Sequence, residues 1–134
     1  MNTIDIALRI ATAAHAGQTD RDGHPYILHP LAVGLMGHTD EETAAGFLHD
    51  VAEDTGVTFD EMLREGIPTG VVNALRLLAR SEGTDYYDYI RHIIGSGNPI
   101  ALQVKYNDLQ HNYARGKAWP DLQAKYGRAL EMVK

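Results

Sequence analysis

Signals that start and stop helices recur along this chain at short intervals, and no segment between them alternates as a half-buried strand would. That punctuation leaves room for short helices and little else. Thr3 predicts a cap for a first helix running to about Ala16, with Ile4, Leu8 and Ala11 at helical spacing and Gly17 as its stop. The stretch 17–29, GQTDRDGHPYILH, carries Gly, Pro and Asp and reads as a loop. Pro30 suits the first turn of a short second helix, Leu31 to Gly37. Asp40 is the expected cap of a third helix, Glu41 to Glu53, broken by Asp54-Thr55-Gly56. Thr58-Phe59-Asp60-Glu61 is a capping box and predicts a fourth helix to about Glu65. Gly66 and Pro68 separate it from a fifth, Thr69 to Ala79. Thr84 is the expected cap of a sixth, with Tyr87, Ile90 and Ile94 as its apolar stripe. Pro99 opens a seventh and Pro120 the last, which ends near Val133. The expected fold class is all-α: a compact, single-domain bundle of about eight helices over residues 1–134.

Composition narrows the function classes. A chain of 134 residues can close one core, and 44% apolar with 22% charged residues is ordinary for a globular protein. There is no cysteine, so disulfides, Cys-based zinc sites and thiol nucleophiles are excluded. MNTIDIALRI lacks the features of a signal peptide, and no apolar run reaches the ~18 residues of a membrane span, so a cytoplasmic protein off the membrane is expected. The net charge is −6 and no Lys/Arg block stands out, which argues against nucleic acid as a partner. A small anionic ligand stays open, because a bound metal reverses the local sign. Oligomeric state is not legible in the sequence.

The chemistry-bearing residues are dispersed. His29, the pair His49-Asp50 and Asp108 offer imidazole and carboxylate donors suited to Mn²⁺, Fe²⁺ or Zn²⁺. His49 and Glu53, Asp50 and Asp54, and Asp108 and Asn112 are each four apart, the spacing of one helix face. Lys105 lies one turn before Asp108. Each residue also has a plain reading: His49 as a surface histidine, Asp50, Glu53 and Asp54 as a solvated acidic face, His29 as a cap of its helix, Lys105 as a surface lysine paired to Asp108. The combination points to one divalent ion with coordination positions left for water, as in catalytic sites.

Four stretches carry a resemblance: AAHAGQ (13–18), GHPYILHP (23–30), GFLHDVAEDT (46–55) and VKYNDLQHN (104–112). With them the chain resembles the HD-domain metal-dependent phosphohydrolases. Within these it looks like the small alarmone hydrolases and the hydrolase half of the bifunctional Rel/SpoT proteins. The resemblance implies that His29, His49, Asp50 and Asp108 bind one ion, usually Mn²⁺. It implies that Glu53 and Asp54 handle the nucleophilic water, without dividing their roles, and that Asn112 and Tyr126 line the nucleotide pocket. Arg21 and Lys105 are the candidate cations for the phosphates. The implied reaction removes the 3′-pyrophosphate of ppGpp or pppGpp, giving GDP or GTP and pyrophosphate, with a small nucleotide as the partner. No synthetase half is expected in 134 residues.

The match departs at three places. Asp20 stands where the family has a base-stacking Arg, and an Asp can neither stack on a purine nor attract a polyphosphate. Tyr106-Asn107 precedes Asp108 where Leu-Ala is common, and Tyr113-Ala114-Arg115 follows Asn112 where Met-Arg-Thr is more familiar. An adenosine 3′-pyrophosphate, a phosphorylated dinucleotide or a nucleotide phosphomonoester is therefore an alternative substrate. A non-catalytic nucleotide-binding protein is a further alternative.

Overall fold

A computed structural model describes residues 2–134 and arranges them as nine helices. They are α1 (Thr3–Ala14), α2 (Leu28–Leu35), α3 (Asp40–Leu48), α4 (Val51–Asp54), α5 (Phe59–Arg64), α6 (Thr69–Leu78), α7 (Tyr86–Ser96), α8 (Pro99–Arg115) and α9 (Pro120–Val133). The one extended feature among the described residues is an isolated antiparallel bridge between Thr19 and Pro25. The architecture is all-α, as the sequence implied.

Several boundaries move. Asn2, not Thr3, caps α1, its side chain accepting from the Asp5 amide. Thr39 caps α3 in place of Asp40, and Asp85 caps α7 in place of Thr84. In each case a neighbouring Asn, Thr or Asp in extended or turn geometry meets the free amides first. α2 begins at Leu28, so His29 and Pro30 lie inside its first turn and the preceding loop ends two residues earlier than expected. The capping box at Thr58 and Glu61 forms as read, and Pro99 and Pro120 open α8 and α9.

The largest change is in the expected helix 41–53, which is two segments. α3 ends at Leu48, α4 starts at Val51, and His49 and Asp50 form the joint. Asp50 occupies the N-cap position of α4 without capping it; its carboxylate receives the Tyr26 hydroxyl instead.

α3 is central and packs on α1, α2, α6 and α8. Around it Leu48, Met62, Leu75, Ile90, Ile93 and Leu109 are fully buried, each contributing about 1.5–3 kcal/mol relative to exposure. α2 meets α3 at a glycine crossing. A Cβ on Gly46 would stand 2.6 Å from the Gly34 Cα, and a Cβ on Gly34 would stand 2.2 Å from the Phe47 ring. Only two residues without side chains allow that approach. It brings His29 of α2 beside His49 at the end of α3, with ring centroids 5.2 Å apart.

Gly46→Ala should therefore destabilise the fold by about 1–3 kcal/mol through overpacking. Urea denaturation would show the loss as a lower midpoint with an unchanged slope; an unaltered midpoint would show that the crossing tolerates a side chain.

Candidate metal centre

α8 carries the polar interior. Its inward stripe includes Val104, Lys105, Asp108 and Leu109, so charge and hydrocarbon share one face. Asp108 is 4% exposed and Lys105 is 8% exposed. The plain reading of Lys105 as a surface lysine is thus overturned. Its Nζ donates to Asp108 Oδ2 at 2.9 Å. The other carboxylate oxygen, Oδ1, receives Asn112 Nδ2 at 3.1 Å and faces His29 Nε2 at 2.8 Å and His49 Nε2 at 3.1 Å. Burial alone would push Asp108 up; Lys105 and then His49 outweigh it and hold the carboxyl well below the usual range.

His29, His49 and Asp50 bring one donor atom each within 4.8 Å of one another. His49 Nε2 lies 3.0 Å from Asp50 Oδ2, and His29 Nε2 lies 4.0 Å from it. Donors about 2.1 Å from a common centre stand no more than about 4.2 Å apart, so these spacings suit one ion. Asp108 adjoins this group through both imidazoles.

Tautomers test the fit. His49 Nδ1 is 2.7 Å from the Gly46 carbonyl, which can only accept, so Nδ1 carries a proton. A neutral His49 then points the Nε2 lone pair at two carboxylates 3.0 and 3.1 Å away. Lone pair against anion is repulsive unless a cation sits between them. Without a metal that cation is a proton: burial lowers His49, but Asp50 and Asp108 raise it well above the ordinary value. A divalent ion satisfies the same donors, since carboxylate and neutral imidazole are the forms that bind metal. His29 is oriented in kind by His111, with Nδ1 atoms 2.7 Å apart and rings stacked. Burial, His29 and Arg115 push His111 down to about 4, so it is neutral and able to accept from His29.

Glu53 and Asp54 sit on α4 at the open side of this group, beyond the helix joint. The expectation that one continuous helix face would carry His49 with Glu53 and Asp50 with Asp54 is corrected accordingly. The Glu53 carboxylate accepts from the Arg80 amide. Asp54 is held by its backbone, whose carbonyl receives Gln18 Nε2 at 3.0 Å, while Gln18 Oε1 meets buried His15 Nδ1 at 2.8 Å. Desolvation and the charge of Asp50 raise both carboxyls above the usual range.

A cleft lined by His29, His49, Asp50, Glu53, Lys105, Asp108, Asn112 and Tyr126 opens onto the donors. Beside it, sharing Tyr26, Asn112, Arg115 and Tyr126, is a pocket walled by Trp119 and Leu122. Arg21 lies at that pocket's wall with its guanidinium 5.5 Å from the Trp119 ring centroid. Asp20 borders the same pocket with both carboxylate oxygens engaged. Its Oδ1 accepts from the amides of Asp22 and His24, and its Oδ2 is 3.7 Å from Arg115. The expected repulsion of a polyphosphate by Asp20 is thus met by an arginine.

Sequence reasoning missed Tyr26, Arg80, Tyr86, His111, Arg115, Trp119 and Lys125. Tyr26 and His111 lay inside the stretches that carried the resemblance and had the polar atoms to support a donor. Arg80, Tyr86 and Lys125 had no local signal: Tyr86 and Lys125 meet through the packing of α7 against α9, and Arg80 joins them from the segment after α6.

No family model matches the chain. A probable GTP pyrophosphokinase of Mycobacterium leprae is 31% identical over 147 aligned positions, covering 99% of this chain and 18% of its own length. The guanosine-3′,5′-bis(diphosphate) 3′-pyrophosphohydrolase of Borreliella burgdorferi is 44% identical over 63 residues, 44% of this chain and 9% of that protein. The bifunctional (p)ppGpp synthase/hydrolase SpoT of Escherichia coli K12 is 47% identical over 60 residues, 42% of this chain and 8% of that protein. The chain thus spans less than a fifth of these curated relatives. A solved structure of a metazoan SpoT orthologue that hydrolyses ppGpp superposes with a TM-score of 0.77 at 20% identity, over 99% of this chain and 84% of that one. The chain is thus similar in sequence to a small part of the Rel/SpoT proteins and shares the all-helical fold of the metazoan SpoT orthologue.

Proposed function

We propose that the chain is a divalent-metal-dependent nucleotide 3′-pyrophosphohydrolase acting on guanosine tetra- and pentaphosphate, with GDP or GTP and pyrophosphate as products. The observation that carries this reading is the His49 lone pair trapped between the Asp50 and Asp108 carboxylates, an arrangement that calls for a cation at the floor of a cleft. The hydrolase activities that the Borreliella and Escherichia relatives are named for support the substrate.

His29, His49, Asp50 and Asp108 are the proposed ligands, with Mn²⁺ the proposed ion. Such an ion, when bound, brings the pKa of water toward neutrality and polarises a phosphoryl oxygen. Glu53 and Asp54 orient the attacking water and take its proton on a carboxylate oxygen; their raised affinity for protons favours that role. The water oxygen bonds to phosphorus, the bond to the 3′ oxygen breaks, and that oxygen leaves with a proton. Lys105 holds Asp108 and adds positive charge beneath the phosphates. Asn112 and Tyr126 border both the cleft and the Trp119 pocket, so they meet the nucleoside between them, and Arg21 borders the pocket alone. A flat base suits the space between Trp119, Leu122 and Tyr126.

Incubation with ppGpp and Mn²⁺ should release GDP and pyrophosphate on ion-exchange chromatography; release of neither removes the guanine reading. His49→Ala and Asp108→Ala should lose both bound metal and turnover. Glu53→Ala should retain metal while turnover falls by about 10²–10⁴, and normal turnover would take Glu53 out of the mechanism. Lys105→Met should cost about 3–5 kcal/mol in metal-free urea denaturation by stranding the Asp108 charge. Lys105→Met/Asp108→Asn should recover part of that loss.

A further inference from the structure

The cleft that opens onto the donors is also lined by Arg80, Tyr86 and Lys125, and Glu53 there meets the Arg80 backbone amide. Lys125 Nζ lies 4.0 Å from the Tyr86 ring centroid and the Arg80 guanidinium lies 5.5 Å from it. Among the described residues neither Arg80 nor Lys125 has a carboxylate within ion-pair distance. The Tyr86 hydroxyl is buried with no hydrogen-bond partner. An unpaired buried hydroxyl costs about 1–3 kcal/mol, so its survival in a cationic cleft calls for an acceptor. The one carboxylate bonded to Arg80, that of Glu53, takes its backbone amide and leaves the guanidinium without an ion pair among the described residues. Burial, then Arg80, Lys105 and Arg21, pulls Lys125 below the ordinary lysine range, the response of a cation that lacks a counter-charge.

Lys105 ties this corner of Arg80, Tyr86 and Lys125 to the donors. Its Nζ is 2.9 Å from Asp108 Oδ2, 5.0 Å from the Tyr89 ring centroid and 5.9 Å from the Tyr86 ring centroid. One side chain thus touches both ends, and a ligand with two linked phosphoryl groups reaches both in the same way. We propose that Arg80, Lys125 and the Tyr86 hydroxyl form a seat for the distal phosphoryl of a pyrophosphate whose proximal phosphoryl lies at the donor end; that the pyrophosphate belongs to a nucleotide substrate rests on the hydrolase reading above. The seat makes the site select a 3′-pyrophosphate over a 3′-monophosphate, because a single phosphoryl leaves the corner empty. Arginine and lysine supply the charge, and the phenol supplies a directed donor.

Titration calorimetry of the Mn²⁺-loaded chain with inorganic pyrophosphate and, separately, with orthophosphate tests the seat without turnover. Pyrophosphate should bind at least tenfold more tightly than orthophosphate. Arg80→Gln and Lys125→Gln should each weaken pyrophosphate at least tenfold, Tyr86→Phe should weaken it several-fold, and orthophosphate should be barely affected. Metal content and thermal melting of each variant identify any that fail to fold; Tyr86→Phe keeps the ring and isolates the hydroxyl. In turnover assays the same variants should lose preference for a guanosine 3′-pyrophosphate over the 3′-monophosphate. Equal affinity of folded variants and parent for pyrophosphate, or no binding by the parent, overturns the seat. Loss of pyrophosphate binding in the variants together with no turnover by the parent upholds the seat and rejects the hydrolase reading.

Discussion

The Asp108 carboxylate is the interaction around which this molecule is organised. It is almost wholly buried, and a buried charge survives only with partners on every side. Lys105 and Asn112 meet it from its own helix, while His29 and His49 meet it from α2 and the end of α3. Those partners come from distant parts of the chain, so the ion pairs record the tertiary fold. Removing Lys105 strands the carboxylate charge in the interior. Structural stability therefore rests on the same side chains that form the candidate site, and the interior gives up hydrocarbon packing to keep them.

A second constraint works against the first. The imidazoles must approach closely, yet helices bearing ordinary side chains sit 8–10 Å apart. The glycine pair at the α2–α3 crossing removes the obstacle, and the joint at His49-Asp50 frees a carboxylate that a continuous helix would have pointed elsewhere. Tyr26 then ties that carboxylate to the loop before α2. The donors are thus preorganised by backbone shape rather than by a loop that closes.

Much of the helical layout was legible, because Pro99, Pro120 and the Thr58 capping box are local signals obeyed locally. The meeting of His29, His49 and Asp50 was legible as a combination of residue types in familiar stretches, and the structure brings them together. What failed were inferences that carried helical periodicity across a break. The face shared by His49 and Glu53 assumed a continuous helix, and Asp50 drops out of that helix because its side chain answers to Tyr26. Lys105 read equally well as an exposed lysine, since nothing nearby in the sequence shows that α8 turns a charged stripe inward. Asp20 read as a repulsive group; only the folded turn reveals that its oxygens are already engaged.

The donors lie on α2, on the α3–α4 joint and on α8, whereas α9 supplies Leu122, Lys125 and Tyr126 to the walls and touches chiefly α7 and α8. The reaction floor and the recognition walls are thus built on separate pieces of the bundle. Mutational drift along the last helix can reshape the pocket walls while the buried polar cluster stays as it is, so descendants of one scaffold can diverge in what they admit before they diverge in their interior.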